Sequence, residues 1–175
     1  SLGDRESLTW KPGMRTRYPG FELVPDLSGY YRVNHIWKGG PADHDYVKLK
    51  AGDFLIAVDD KDLRTTDNYW RHFTMAAGRK FHLLVNDKPA REGAWEVTLE
   101  PMARTAYTNA QYAKWVDDRR AMVDKLSNGE IGYLHIRAMD APSLRQFTLD
   151  LAVNRTKKAL IIDQRFNGGG GIDQE

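Results

Sequence analysis

Apolar and polar positions recur along this chain with two different periods, and the change of period divides it. From Gly20 to Pro101 the period is close to two. Phe21-Glu22-Leu23-Val24 is short and partly alternating, and Gly29 opens a longer strand candidate over residues 30–37. Phe54-Leu55-Ile56-Ala57-Val58 is a continuous apolar run closed by Asp59-Asp60-Lys61-Asp62, the pattern of a buried strand. Residues 81–85 and 95–99 predict a hairpin across the polar turn around Lys88-Pro89. Two segments break the strand pattern. Gly39-Gly40-Pro41-Ala42-Asp43 predicts a turn leading into a short helix. Residues 66–77 predict a helix, with Tyr69, Trp70, Phe73 and Ala77 on one face, Thr66 or Asp67 as cap and Gly78 as stop.

After Pro101 the helical period takes over. A long amphipathic helix is expected over 109–126, with Tyr112, Trp115, Val116, Met122, Val123 and Leu126 as its buried stripe and Ser127-Asn128-Gly129 as its stop. The remainder alternates β-α-β. Residues 131–136 are the first strand. Asp140 caps a helix with Pro142 in its first turn, and Leu144, Phe147 and Leu151 face inward. Residues 159–163 are an apolar, β-branched second strand, expected to be buried and parallel to the first. The organisation predicted is a lead-in over 1–17, a β-rich domain over 18–101, a connecting helix over 102–128 and the start of an α/β domain over 129–175. The fold class is mixed α and β: a partly open β-barrel with helices, then a truncated βαβ segment.

Composition narrows the function classes. The chain has 175 residues, 41% hydrophobic and 29% charged, in the range of a globular protein. Its formal charge is +2 with both signs mixed and no run of five or six like charges, which argues against nucleic acid as a partner. The count of cysteines is 0, excluding disulfides and thiolate metal sites. No apolar stretch approaches the roughly 18 residues of a membrane helix, so no membrane partner is expected. Ser1-Leu2-Gly3-Asp4 does not open a signal peptide. The compartment stays open between cytoplasm and periplasm.

The most informative segment is Ile161-Ile162-Asp163-Gln164-Arg165-Phe166-Asn167-Gly168-Gly169-Gly170-Gly171. A buried strand ends in a carboxylate, and four glycines follow. Glycine carries no Cβ, so such a loop takes positive φ and brings bare N–H groups close to a ligand. Converging backbone N–H groups stabilise an oxyanion. The bland alternatives are a plain tight turn or a phosphate loop. Neither GxxxxGK nor GxGxxG fits, since lysine is absent and Asp173 occupies the place of the third glycine. Only four residues follow the glycines, where a helix and further strands are expected, so the chain is expected to be a fragment cut inside a catalytic domain.

Two resemblances add to this reading. Gly20-Phe21-Glu22-Leu23, Gly39-Gly40-Pro41-Ala42-Asp43 and Leu49-Lys50-Ala51-Gly52-Asp53-Phe54-Leu55-Ile56-Ala57-Val58-Asp59 resemble a PDZ domain of the bacterial protease type. There, the loop at Pro19, Gly20 and Phe21 would offer N–H groups to a terminal carboxylate. A peptide would add to the strand through Glu22 and Leu23, beside the 66–77 helix with Asn68 and His72 within reach. Gly129-Glu130-Ile131-Gly132-Tyr133-Leu134-His135-Ile136 and the Asp163–Gly170 segment are similar to the catalytic core of the tail-specific serine protease family. Arg165-Phe166-Asn167-Gly168-Gly169-Gly170 resembles its tricorn branch. That resemblance implies an oxyanion donor at Gly170, with Gly169 next, and a peptidase parent needing no cofactor. It implies peptide or protein C-termini as partners and leaves room for a homo-oligomeric parent. The family's serine, glutamate and histidine have no match here, so the fragment is expected to be inactive. The rival reading is a non-catalytic PDZ adaptor.

The remaining chemistry-bearing residues carry blander readings. The 5 histidines lack HxxH or HExxH spacing, so no metal site is expected. Asp163 and Arg165 are structural, orienting the loop by hydrogen bonds and an ion pair. The tryptophans are core or interdomain packing and are not interleaved with Lys or Arg for base stacking.

Overall fold

The computed structural model describes residues 13–76 and 78–171. Of the expected lead-in, residues 1–12 lie outside the described residues, as do Ala77 and residues 172–175. The chain forms two compact units, one ending at Gln111 and the other beginning at Tyr112. That division falls within the long helix.

The first unit is a mostly antiparallel β structure. Its strands are β1 (Arg15–Thr16), β2 (Phe21–Pro25), β3 (Tyr31–Ile36), β4 (Phe54–Val58), β5 (Lys61–Asp62), β6 (Thr74–Met75), β7 (Phe81–Asn86) and β8 (Trp95–Leu99). The main sheet has the order β2-β3-β4-β7-β8, with β5 paired to β4. β1 and β6 form a separate two-stranded sheet. The alternation seen in the sequence sets the burial. Phe21 and Leu23 of β2 point into the core while Glu22 and Val24 are half-buried. β4 is buried from Leu55 to Val58 because it lies mid-sheet. Phe73, Phe81, Leu55, Ile56, Leu63 and Met75 are fully buried, each contributing about 1.5–3 kcal/mol of apolar burial.

Two expectations fail in this unit. Residues 66–76, the described part of the expected 66–77 helix, do not form one. Asn68 caps a single 3₁₀ turn, Tyr69–Arg71, and the chain then enters β6. Tertiary anchoring overrides the helical spacing. The Phe73 carbonyl accepts from Arg17 N–H at 2.8 Å, and the Phe73 ring meets Phe81 edge-on at 4.8 Å. Thr74 and Met75 pair with Thr16 and Arg15. The bulky and β-branched residues here supply little helix propensity to resist this. The short helix expected after Asp43 is likewise a series of turns. The Asp43 carboxylate accepts from Gly39 N–H at 2.8 Å, which closes the turn locally and diverts the chain from helix.

The second unit contains most of helix α1 (Arg104–Leu126), then β9 (Ile131–His135), α2 (Ala141–Val153) and β10 (Ala159–Asp163). α1 begins five residues earlier than the periodicity predicts. Of its expected stripe Val116 is buried, whereas Met122 and Leu126 are exposed. Asp140 caps α2 as expected, accepting from Ser143 N–H at 2.8 Å. β9 and β10 are parallel, Ala159 opposite Ile131 and Asp163 opposite His135. Gly132 is required in β9, since a Cβ there would stand 2.5 Å from Asn154 Oδ1. β10 is not buried as its composition predicts: Leu160, Ile161 and Ile162 are 37%, 44% and 48% exposed. Leu144, expected to face inward, is 48% exposed, while Phe147 and Leu151 are half-buried. A parallel sheet needs cover on both faces, and among the described residues β10 keeps three exposed apolar side chains.

Candidate functional site

The glycine loop after β10 is held by its own sequence. Asp163 ends the strand with its carboxylate buried. It accepts from Arg165 N–H at 2.9 Å and from Arg165 Nε at 3.0 Å, and Arg165 Nη2 bonds it as well. Tyr133 Oη, two residues before His135 on β9, donates to Asp163 Oδ2 at 2.7 Å. The Arg165 side chain, its backbone N–H and the Tyr133 hydroxyl together hold the Asp163 carboxyl well below the usual carboxylate range, against its burial. Burial, and then the hydrogen bond to Asp163, pushes the Tyr133 phenol up to about 12. Asp163 is an anion and Tyr133 a neutral donor across the working pH range.

Beyond the clamp, Phe166 has φ +62°, a sparsely populated conformation for a bulky residue. Asn167 then ties the loop back. Its Nδ2 donates to the Ile136 carbonyl at 3.0 Å, and its Oδ1 accepts from Gly169 N–H at 2.7 Å. Gly168 N–H donates to the Arg137 carbonyl at 3.0 Å, and Met139 N–H donates to the Gly169 carbonyl at 2.9 Å. Gly170 bridges Met139 in parallel at φ +134°. A Cβ at Gly170 would collide with the Met139 carbonyl, so the position admits only glycine. Among the described residues, the N–H groups of Gly168 and Gly169 are engaged and that of Gly170 meets no acceptor. The loop is exposed at Gly168, Gly169 and Gly170.

The expected roles of Asp163 and Arg165 match this geometry. The sequence reading missed Tyr112, Trp115 and His135, which stand together behind the loop. Tyr112 Oη lies 2.7 Å from His135 Nδ1, and His135 Nε2 lies 2.8 Å from the Arg165 carbonyl. Trp115 meets the His135 ring edge-on at 4.8 Å. The available signals were the i, i+2 spacing of Tyr133 and His135 on one strand face and the i, i+3 spacing of Tyr112 and Trp115 on one helix face.

In the first unit, the peptide-binding candidates are distributed as follows. Among the described residues β2 pairs with β3 alone and ends the sheet order. Glu22 and Leu23 lie on it, with a register shift between them. Pro19, Gly20 and Phe21 are buried. Gly20 has φ +87°, and a Cβ there would stand 2.7 Å from Pro41 Cδ. Its carbonyl accepts from Trp37 N–H at 2.9 Å. Asn68 is exposed, and its Oδ1 accepts from Trp70 N–H at 3.1 Å. His72 ends the 3₁₀ turn, half-buried, and burial lowers its imidazole below the usual range. The element carrying Asn68 and His72 is this turn, not the expected helix.

Among the described residues no cluster of three or more His, Asp or Glu side chains could hold a metal ion. No described helix is long and apolar enough to cross a membrane.

Residues 130–175 match the family model of Peptidase family S41. The chain is 38% identical over 157 residues to the Tricorn protease of Thermoplasma volcanium, a match over 84% of this chain and 15% of that protein. It is 29% identical over 170 residues to Tricorn protease homolog 1 of Streptomyces coelicolor, covering 93% of this chain and 16% of that protein. A crystal structure of the tricorn protease is alike in fold, with a TM-score of 0.70 at 22% identity over 89% of this chain and 15% of that one. The chain thus spans 15–16% of the length of these curated relatives.

Proposed function

We propose, since this chain belongs to the tricorn-like branch of peptidase family S41, that it is part of a serine peptidase to which it contributes an oxyanion donor and a peptide-holding sheet edge. The observation that carries the reading is the Gly170 N–H, without an acceptor among the described residues, in a loop whose Gly168 and Gly169 amides are tied down. In acyl transfer a serine oxygen attacks the scissile carbonyl while a histidine takes its proton, and the carbonyl oxygen becomes an anion. A fixed N–H aimed at that oxygen stabilises the tetrahedral state without reorganising. One such donor is worth about 2.7–4 kcal/mol. Gly170 is the donor in this reading, and Gly169 shapes the turn that presents it.

The first unit is the PDZ-like domain of the parent. The edge of β2, which meets no further strand among the described residues, supports strand addition by a peptide C-terminus. In this reading the loop at Pro19, Gly20 and Phe21 takes the carboxylate, and Asn68 and His72 reach the peptide side chains. The serine and histidine of the reaction match no residue of this sequence, so this chain alone is inactive.

The test is labelling with a fluorophosphonate probe. The parent protein is expected to react at a serine, and the 175-residue chain is expected to stay unlabelled. A label that maps to any residue between Ser1 and Glu175 sinks the assignment of this chain as the donor half of the site. An unlabelled, unreactive parent favours a peptide-binding adaptor instead.

A further inference from the structure

We propose that His135 is the positioning residue of the glycine loop, acting as a fixed-tautomer strut between Tyr112 and the Arg165 carbonyl. The inference rests on the oxyanion reading only for its catalytic consequence; the positioning itself is a statement about this chain.

The argument starts from hydrogen-bond inventory. The Arg165 carbonyl can only accept, so the His135 nitrogen 2.8 Å from it, Nε2, carries a proton. In the neutral ring Nδ1 is then an acceptor. The group 2.7 Å from Nδ1 is the Tyr112 hydroxyl, which can donate. Both ring nitrogens are satisfied in one tautomer alone. The reverse tautomer would leave a nitrogen lone pair facing a carbonyl oxygen inside a buried pocket. His135 is 7% exposed, so that mismatch has no water to relieve it. The Trp115 ring closes one side of the imidazole at 4.8 Å, and Tyr112 approaches at 5.3 Å.

The carbonyl gripped by this strut belongs to the peptide unit that precedes Phe166, the residue at φ +62°. Asp163 fixes the N–H side of Arg165, and His135 fixes its carbonyl side. The two grips together set the direction in which the chain leaves the clamp. Asn167 and Gly168 then make the contacts that lead the loop to the exposed Gly170. A residue with no reacting partner of its own thereby sets where the loop amides point.

The test uses the 175-residue chain with labelled histidine and glycine. Imidazole nitrogen NMR is expected to find His135 protonated at Nε2 and bare at Nδ1; the opposite tautomer, or an equal mixture, overturns the proposal. His135→Leu removes the donor, while His135→Gln keeps one near the Nε2 position. Solvent exchange of the Gly168 and Gly169 amides is expected to rise about fivefold in His135→Leu, the weight of one hydrogen bond, and to stay near the parent value in His135→Gln. Unchanged exchange in His135→Leu, or equal rises in both variants, contradicts a hydrogen-bonding strut. If His135→Leu fails to fold, Tyr112→Phe decides. It removes the hydroxyl at Nδ1 and leaves the Arg165 carbonyl at Nε2, so the Nε2-protonated tautomer is expected to persist with the Nδ1 resonance shifted; a proton on Nδ1, or an unshifted Nδ1, overturns the proposal. Turnover of the parent carrying His135→Leu is a separate readout. Loop amides that loosen while kcat is unchanged leave the strut standing and count against the oxyanion reading.

Discussion

Tyr133 donates its hydroxyl to the Asp163 carboxylate at 2.7 Å, across the ladder of β9 and β10. The bond shifts both groups in opposite senses and gives the second unit a stability plateau. Asp163 is depressed, chiefly by Arg165, so its contribution is complete above the ordinary carboxylate range and is lost as pH falls below about 4. Tyr133 is raised to about 12. Its contribution is complete below the ordinary phenol value of about 10 and is lost as pH rises from there. Tyr133→Phe is expected to cost about 1.5–3 kcal/mol, the range for a hydrogen bond to a charged group, to shrink the alkaline limb, which Tyr112 also feeds, and to weaken the acid limb less, since Arg165 is its main support. Unfolding followed from pH 2 to 12 in both proteins checks this. An alkaline limb of unchanged size in Tyr133→Phe contradicts it.

Asn167 makes two bonds of different kinds, and two substitutions separate them. Asn167→Ala loses both and is expected to free the Gly169 amide. Asn167→Asp keeps an acceptor for Gly169 N–H but loses the donor to the Ile136 carbonyl. Each lost bond costs about 1 kcal/mol. Amide exchange at Gly169 is the readout: fast in Asn167→Ala, slow in Asn167→Asp. Equal protection of Gly169 in the two variants means that the side-chain acceptor does not hold it.

The two units are expected to differ in protection. The β4 and β7 amides sit over Phe73, Phe81, Leu55 and Ile56, whereas β10 carries three exposed apolar residues. Local opening follows buried contact density. Hydrogen exchange is expected to be slow through residues 18–101 and fast through 131–163. Phe73→Ala is expected to destabilise the first unit by about 3–5 kcal/mol. Equal protection in both units would show that the β9–β10 pair is covered in solution.

Much of the strand order was legible in the sequence because Phe21 to Leu99 carry both period-two burial and turn residues at the breaks. The 66–77 helix was not, because Tyr69, Trp70 and Phe73 have helical spacing for a different reason. Tyr69 and Phe73 pack on Tyr31, Phe21 and Phe81, and Trp70 on Tyr18. Spacing cannot tell an aromatic face of a helix from aromatics splayed off a turn. The exposure of Ile161 and Ile162 was equally hidden, since composition reports what a strand is suited to and not what covers it. The roles of Asp163 and Arg165 were readable because they act locally, two residues apart. His135 was not, because its partners are Tyr112 and Arg165, far along the chain in both directions.

Peptide binding at the β2 edge is expected to be weak, with Kd on the order of micromolar, or about −8 kcal/mol. The interface is small and the peptide must be ordered. A free, apolar C-terminus is expected to be needed, because the loop at Pro19, Gly20 and Phe21 is proposed as the carboxylate site. Amidation is expected to reduce affinity by about tenfold or more, as charge-assisted bonds contribute about 1.5–3 kcal/mol. Calorimetric titration of free-acid and amide peptides into this chain decides. Equal affinity removes the carboxylate role. No binding to a folded chain assigns the β2 edge to packing within the parent.

The central claim is that Gly170 N–H faces the oxygen that becomes negative during acyl transfer. The most direct measurement is a crystal structure of the parent protein carrying a peptide aldehyde as a tetrahedral adduct on its serine. The account predicts the adduct oxygen at about 2.7–3.1 Å from Gly170 N, the distance range of an oxyanion donor, with the Asn167 bonds to Gly169 and Ile136 intact. An adduct oxygen bound by other donors, with Gly170 N–H turned away or bonded within the protein, contradicts it.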